Sequence, residues 1–196
     1  MEKPALLLSL SLCMSAHNTK LTATVTVEHY QRLEQNNDRK ALAEFVRQRF
    51  DERYFLPIES MLPQNKHGFM IMAIGCLVIE TLESFHQGMA TTKRHSSAMF
   101  RDFFARNTAL NVFGGENDWF YKDIRCGILH QSEARNGWRI LRRGQLLDKS
   151  TKSINATKFL RELRRAVSAY AKLLQEDEEV WVKFKKKMKA VCKNCE

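Results

Sequence analysis

His67-Gly68-Phe69-Met70-Ile71-Met72-Ala73-Ile74-Gly75-Cys76-Leu77-Val78-Ile79-Glu80 is the most apolar stretch of the chain. It is apolar nearly all round rather than along one stripe, and a helix of that kind belongs at the centre of a bundle. Residues 67–85 are therefore expected to form a central, buried helix, with Gly75 allowing a neighbouring helix to come close. The end of the stretch turns polar, with Glu80, Glu83, His86 and Gln87. Glu80 and Glu83 lie three apart and share a face. They are either the solvated end of a core helix or partners for a functional segment further along.

Working outward, apolar residues recur at helical spacing on both sides. Upstream, Leu21 to Val27 alternates as a strand does, or extends into a helix over Glu28–Gln35. Asn37 or Asp38 can cap the next helix, which runs to about Tyr54 with Leu42, Phe45, Val46 and Phe50 inward. Pro57 and Pro63 bracket a short connection around Ile58 and Met61. Downstream, Ser96–Asn107 reads as a short amphipathic helix, and Phe113 to Asp118 is a break with Asn117 or Asp118 as a cap. A further helix is expected from Trp119 to about Ala134. After the turn at Asn136-Gly137, Trp138–Leu141 and Gln145–Leu147 flank Arg142-Arg143-Gly144 as a small hairpin, and residues 150–155 read as a polar loop. Ala156–Glu176 carries Phe159, Leu160, Leu163, Val167, Tyr170, Leu173 and Leu174 on one face, and Asp177–Cys192 forms the last helix. The fold class is all-α, a helical bundle with a small β-hairpin, forming a single domain over 21–196.

The totals bound the function. At 196 residues with 44% hydrophobic and 28% charged residues, the chain can bury a core without staples. Eight Gly and three Pro favour helices. Thirty-two Lys and Arg against 22 Asp and Glu give a net charge of +10, which points to a polyanionic partner. Lys183, Lys185, Lys186, Lys187 and Lys189 form a charge run that is either a solvated face or part of such a surface. Of five cysteines, Cys192 and Cys195 have CxxC spacing, but a zinc site needs four ligands; a frayed basic tail is the expectation, with no metal and no cofactor. Residues 1–20 imitate a short secretory leader around Ala5–Met14, yet carry one positive charge before it, and a cytoplasmic protein is expected. No stretch is expected to reach the roughly 18 apolar residues needed to span a membrane.

The chemistry sits in Trp119-Phe120-Tyr121-Lys122-Asp123-Ile124-Arg125-Cys126-Gly127-Ile128-Leu129-His130-Gln131. On an ideal helix Phe120, Ile124 and Ile128 fall within about 80° and mark the core stripe, while Arg125 and His130 stand about 140° apart on the opposite side. They frame a surface containing Cys126 and Leu129, which suits a dimer whose two copies of this face meet. Gly127 could also let the helix distort and bring the pair together. An imidazole exchanges protons near neutrality, and a guanidinium offers a fixed fork of donors to a phosphate. The two together can cut RNA without a metal: the histidine handles the proton of the 2′-hydroxyl or of the leaving 5′-oxygen, and the arginine stabilises the charged transition state.

Arg125, four residues and His130, placed after a long apolar helix and an aromatic segment, resembles the motif of HEPN-domain ribonucleases, bacterial toxins and phage-defence effectors among them. The wording Tyr121–Glu133 followed by Gly137-Trp138-Arg139-Ile140 is similar to bacterial members. The likeness spans roughly Lys66 to Gln175, with its specific part confined to about twenty residues. It implies an all-helical dimer, a composite metal-independent endoribonuclease site with Arg125 and His130 catalytic, and control by an antitoxin. Cys126 departs from the polar residue usual after the arginine. The alternatives are a catalytically weak module of the same type that binds RNA or nucleotide, and a basic helical protein with no nucleic-acid role.

Overall fold

The computed structural model describes residues 18–60, 67–92 and 95–195, and the leader-like run to Ala16, Cys13 and the connection at Met61 and Pro63 lie outside them. Within the described residues are eight α-helices and one three-stranded sheet, so the mostly helical class holds. α1 (Val27–Gln35) begins at Thr26, whose side chain accepts from the His29 amide. α2 (Arg39–Phe50) is capped by Asp38. It runs on through a π-helical turn, Asp51–Phe55, into the short α3 (Leu56–Glu59), where Pro57 has no N–H to give to the turn before it. Leu21–Val27 is not a strand. Leu21 and Thr22 both donate to the Val25 carbonyl, and one bridge joins Lys20 to Thr26, closing a tight loop that buries Leu21 and Val25.

α4 (Gly68–Gln87) is the central helix. It packs against α5 (Ser96–Arg106), α7 (Ala156–Glu176) and α8 (Glu178–Lys193). A Cβ on Gly75 would meet Phe159 at 2.9 Å and Leu163 at 3.1 Å, so glycine is what lets α7 lie this close. By length and a mean hydropathy of 1.6 α4 could also cross a membrane, but over half of that window is buried in its own fold. It is not covered all round: Phe69, Met70 and Leu77 are about 40% exposed. On α7 the expected face is buried except Leu173.

The break at Phe113–Asp118 is a pair of 3-10 turns, Thr108–Phe113 and Glu116–Asp118. Neither Asn117 nor Asp118 caps the following helix. Both adopt left-handed backbone, and the Asp118 carboxylate instead takes the Ser97 hydroxyl at 2.6 Å. The motif segment is a π-helical turn, Phe120–Arg125, leading into α6 (Cys126–Gln131). This is shorter than the continuous helix expected to Ala134.

The expected hairpin does not form. β1 (Arg139–Leu141) and β2 (Leu147–Asp148) never pair with each other. Both pair with β3 (Ser153–Asn155), β1 parallel and β2 antiparallel. The stretch read as polar loop is thus the middle strand. Ile154 is fully buried, and the Asn155 side chain caps α7 through the Lys158 amide while donating to the Gly144 carbonyl at 3.0 Å. The carboxy-terminal tail is not frayed either, since α8 continues to Lys193 with Cys192 and Cys195 half-buried and unbridged.

Candidate functional site

The motif segment is anchored from its aromatic side. Phe120 lies 5.0 Å from Phe104, 5.3 Å from Phe113 and 5.5 Å from Phe159, ring centre to ring centre. The first two are edge-to-face and the third is tilted, and aromatic pairs of this kind contribute about 0.5–1.5 kcal/mol each beyond area burial. Phe120, Ile124 and Ile128, the expected core stripe, are all buried. Trp119 stacks on Trp138 at 4.2 Å, which ties the segment to the sheet that follows.

With the stripe fixed, Arg125 and Cys126 turn toward α4. Arg125 Nε donates to Glu80 Oε1 at 2.9 Å, and both side chains are less than one-fifth exposed. Its guanidinium lies 5.4 Å over the Tyr121 ring, a favourable cation–π position. Burial works against the charge, but the Glu80 carboxylate outweighs it and holds the guanidinium above its ordinary pKa. Ser96 donates to the other Glu80 oxygen at 3.3 Å, steadying the carboxylate. Burial, then the neighbouring Cys126 thiol, pushes the Tyr121 hydroxyl up.

Arg125 Nη1 comes within 3.3 Å of His130 Nε2. The angle of about 140° describes the backbone, which is helical here; the reach of the arginine side chain closes the gap. One chain therefore brings both residues together. A guanidinium only donates, so the contact casts Nε2 as the acceptor. His130 itself is exposed, open to an incoming group.

Gly127 plays a different part from the distortion expected of it. After α6, Ser132 turns left-handed and the chain folds back, with Glu133 N–H to Gly127 O at 3.3 Å and Arg135 N–H to Asp123 O at 2.9 Å. A Cβ on Gly127 would lie 2.3 Å from the Glu133 carbonyl oxygen. Only glycine admits this return, which ends the helix just past His130.

Of the two acidic residues, Glu80 meets Arg125 and Glu83 does not. Glu83 is fully buried and takes Arg106 at 2.7 Å and Gln87 at 2.8 Å. Buried and held by Arg106, it is not a solvated helix end, and burial raises its pKa despite these partners. Among the described residues no group of three or more His, Cys, Asp or Glu is placed to hold a metal ion. The residues that sequence reasoning missed are Tyr121 as the platform under Arg125 and Ser96 as the support of Glu80. The aromatic beside the arginine four positions on was the visible signal for the first; nothing in the sequence marked the second.

Fold and site together define a mostly helical domain with an Arg–His–Glu cluster at the junction of its central helix and a π-helical turn. Compared with family models, curated proteins and solved structures, the chain matches none.

Proposed function

We propose that the chain is a metal-independent endoribonuclease of HEPN type, with Arg125 and His130 as its catalytic residues. The observation that carries this is the 3.3 Å approach of Arg125 to His130, with the arginine fixed in charge and place by Glu80. The 2′-hydroxyl oxygen attacks phosphorus and the bond to the 5′-oxygen breaks. Arg125 turns its Nη1 from His130 Nε2 to the phosphate and stabilises the extra charge there; Nε2, so released, takes the 2′-hydroxyl proton, and the leaving oxygen takes a proton from water. The products carry a 2′,3′-cyclic phosphate and a 5′-hydroxyl. DNA, without the 2′-hydroxyl, resists. Toxin or defence activity in the cytoplasm, held in check by an antitoxin, is the biological setting of this reading.

A homodimer belongs to the proposal. On α4, Phe69, Ala73, Leu77 and Glu80 fall within about 80° of one another, so the exposed apolar stripe runs straight into the cluster. A second copy seated there would cover Phe69, Met70 and Leu77 and bring two Arg–His pairs into one cleft.

The test is purified protein with total RNA in EDTA. Cutting that leaves cyclic phosphate ends, and that is lost in both Arg125→Ala and His130→Ala, is the expected result. Cutting that persists in His130→Ala would remove the mechanism. RNA binding without cutting favours a weak, RNA-binding module instead; the Glu80 ion pair, which already occupies one edge of the Arg125 fork, is the observation on that side.

A further inference from the structure

About 20 Å along α4 from Glu80, at 1.5 Å per residue over the thirteen residues back to His67, lies a cavity of ≈ 370 Å³ between α3, the start of α4 and α7. Its floor is apolar: Ile58, Ile71 and Leu160. Its rim is cationic. Arg142, Arg161 and Arg164 line it against a single carboxylate, Glu59, among the described lining residues, with the His67 ring beside Arg142. Arg142 reaches across the mouth, with Nη1 3.1 Å from His67 Nε2 and Nε donating to Thr157 Oγ1 at 2.6 Å. Arg164 is pinned at the edge by Asp51 at 2.7 Å and Glu59 at 2.8 Å, so it frames the cavity and its charge is taken up. Arg161 is more than half exposed and only 3.5 Å from Glu162, which it shares with Arg165.

The start of α4 adds to this field. His67 is its N-cap and makes no side-chain capping bond, whereas the start of α7, where Thr157 stands, is capped by Asn155. Helix N-termini carry partial positive charge and free amides. The volume exceeds what a bare inorganic anion needs and lies in the range of about 300–1,000 Å³ usual for small-molecule sites. Apolar floor and cationic rim together ask for an amphiphilic anion. Donors are supplied by Arg142, Arg161 and the Thr157 hydroxyl, more than a carboxylate's two oxygens call for and well matched to a phosphate.

We propose that this cavity binds a small organic phosphate, its phosphate on Arg142 and Arg161 and its apolar or flat body against Ile58, Ile71 and Leu160. The site is separate from the Arg125–His130 pair and does not depend on that pair cutting RNA. The probe is phenyl phosphate, titrated calorimetrically into the full chain, with inorganic phosphate and phenol alongside. One phenyl phosphate per chain is expected, with inorganic phosphate at least about tenfold weaker and phenol silent. Each arginine gives the phosphate a charged hydrogen bond, so Arg142→Gln and Arg161→Gln should each weaken binding about tenfold or more. His130→Ala should leave it unchanged, which separates this site from failure of the nuclease reading. Arg161, being exposed, gives a variant that keeps its melting temperature and decides the matter if Arg142→Gln does not fold. No heat with phenyl phosphate, equal affinity for inorganic phosphate, binding that survives Arg161→Gln, or binding abolished by His130→Ala would each overturn the proposal.

Discussion

Glu80 is the residue on which the candidate site turns, because removing its carboxylate leaves a guanidinium that is less than one-fifth exposed without its charged partner. Glu80→Gln keeps an oxygen that can accept from Arg125 Nε, whereas Glu80→Ala does not. Under the nuclease reading both variants should bind RNA with little change in KM and lose kcat. The loss should be about 100-fold for alanine, as expected of a misplaced catalytic group, and smaller for glutamine. An equal loss in both would show that charge, not position, is what Glu80 supplies. Gly127→Ala tests the fold rather than the chemistry: its Cβ would meet backbone 2.3 Å away, and overpacking of this kind costs about 1–3 kcal/mol, read as a lower urea midpoint. His86 provides a pH signature. Burial first, then Arg106 and Lys183, lowers its pKa to about 3, from about 6.5 in the unfolded chain. The unfolded state therefore binds more protons between those values. The His86 contribution is complete above pH 6.5 and is lost as pH falls toward 3. Neighbouring Glu83, with its pKa raised, works in the opposite sense above its unfolded value. His86→Phe, which keeps a ring against Tyr170, should make the stability of the variant rise less steeply than wild type between pH 3 and 6.5.

At the scale of elements, the cap at Asp38, one of the two residues offered for it, the central position of α4 and the inward stripe of α7 were legible, because each rests on a local rule of spacing or side-chain reach. The cap at Thr26 was not read. Asn155 was not, since a polar residue in a polar stretch gives no sign that it caps α7 and braces the Gly144 carbonyl. Asn155→Ala should cost about 1–2 kcal/mol, the upper part of the usual capping range, measured by chemical denaturation. In the site, Arg125 and His130 stood out by residue type, and the core stripe beside them by period. Their contact did not, because a helical wheel places backbones and says nothing of how far an arginine reaches. The π-helical turn was equally hidden. Phe120, Ile124 and Ile128 are compatible with either kind of turn, and their spacing does not mark which one forms. The exposure of Phe69, Met70 and Leu77 also escaped the sequence, where an all-round apolar helix reads as one covered on every side.

For the molecule as a whole, that exposed stripe makes the oligomeric state the informative measurement. Leu77→Glu places a charge on the α4 face beside Glu80 without touching the core. By sedimentation, wild type should run as a dimer and the variant as a monomer; a monomeric wild type would remove the composite cleft from the proposed function. The three-stranded sheet has a consequence of another kind. Its middle strand is the last to be synthesised, so neither β1 nor β2 has a partner until residues 153–155 are in place. That wait is short, 14 residues from Arg139 to Ser153 and 7 from Leu147 to Ile154, whereas α2 packs on α7 across more than 100 residues. Contacts between segments close in the chain form before those that must close long loops. The sheet should therefore act as an early clasp onto which the helices close. Ile154→Val should slow refolding while leaving the unfolding rate nearly unchanged, a φ-value near one, with positions where α2 meets α7 giving the lower values.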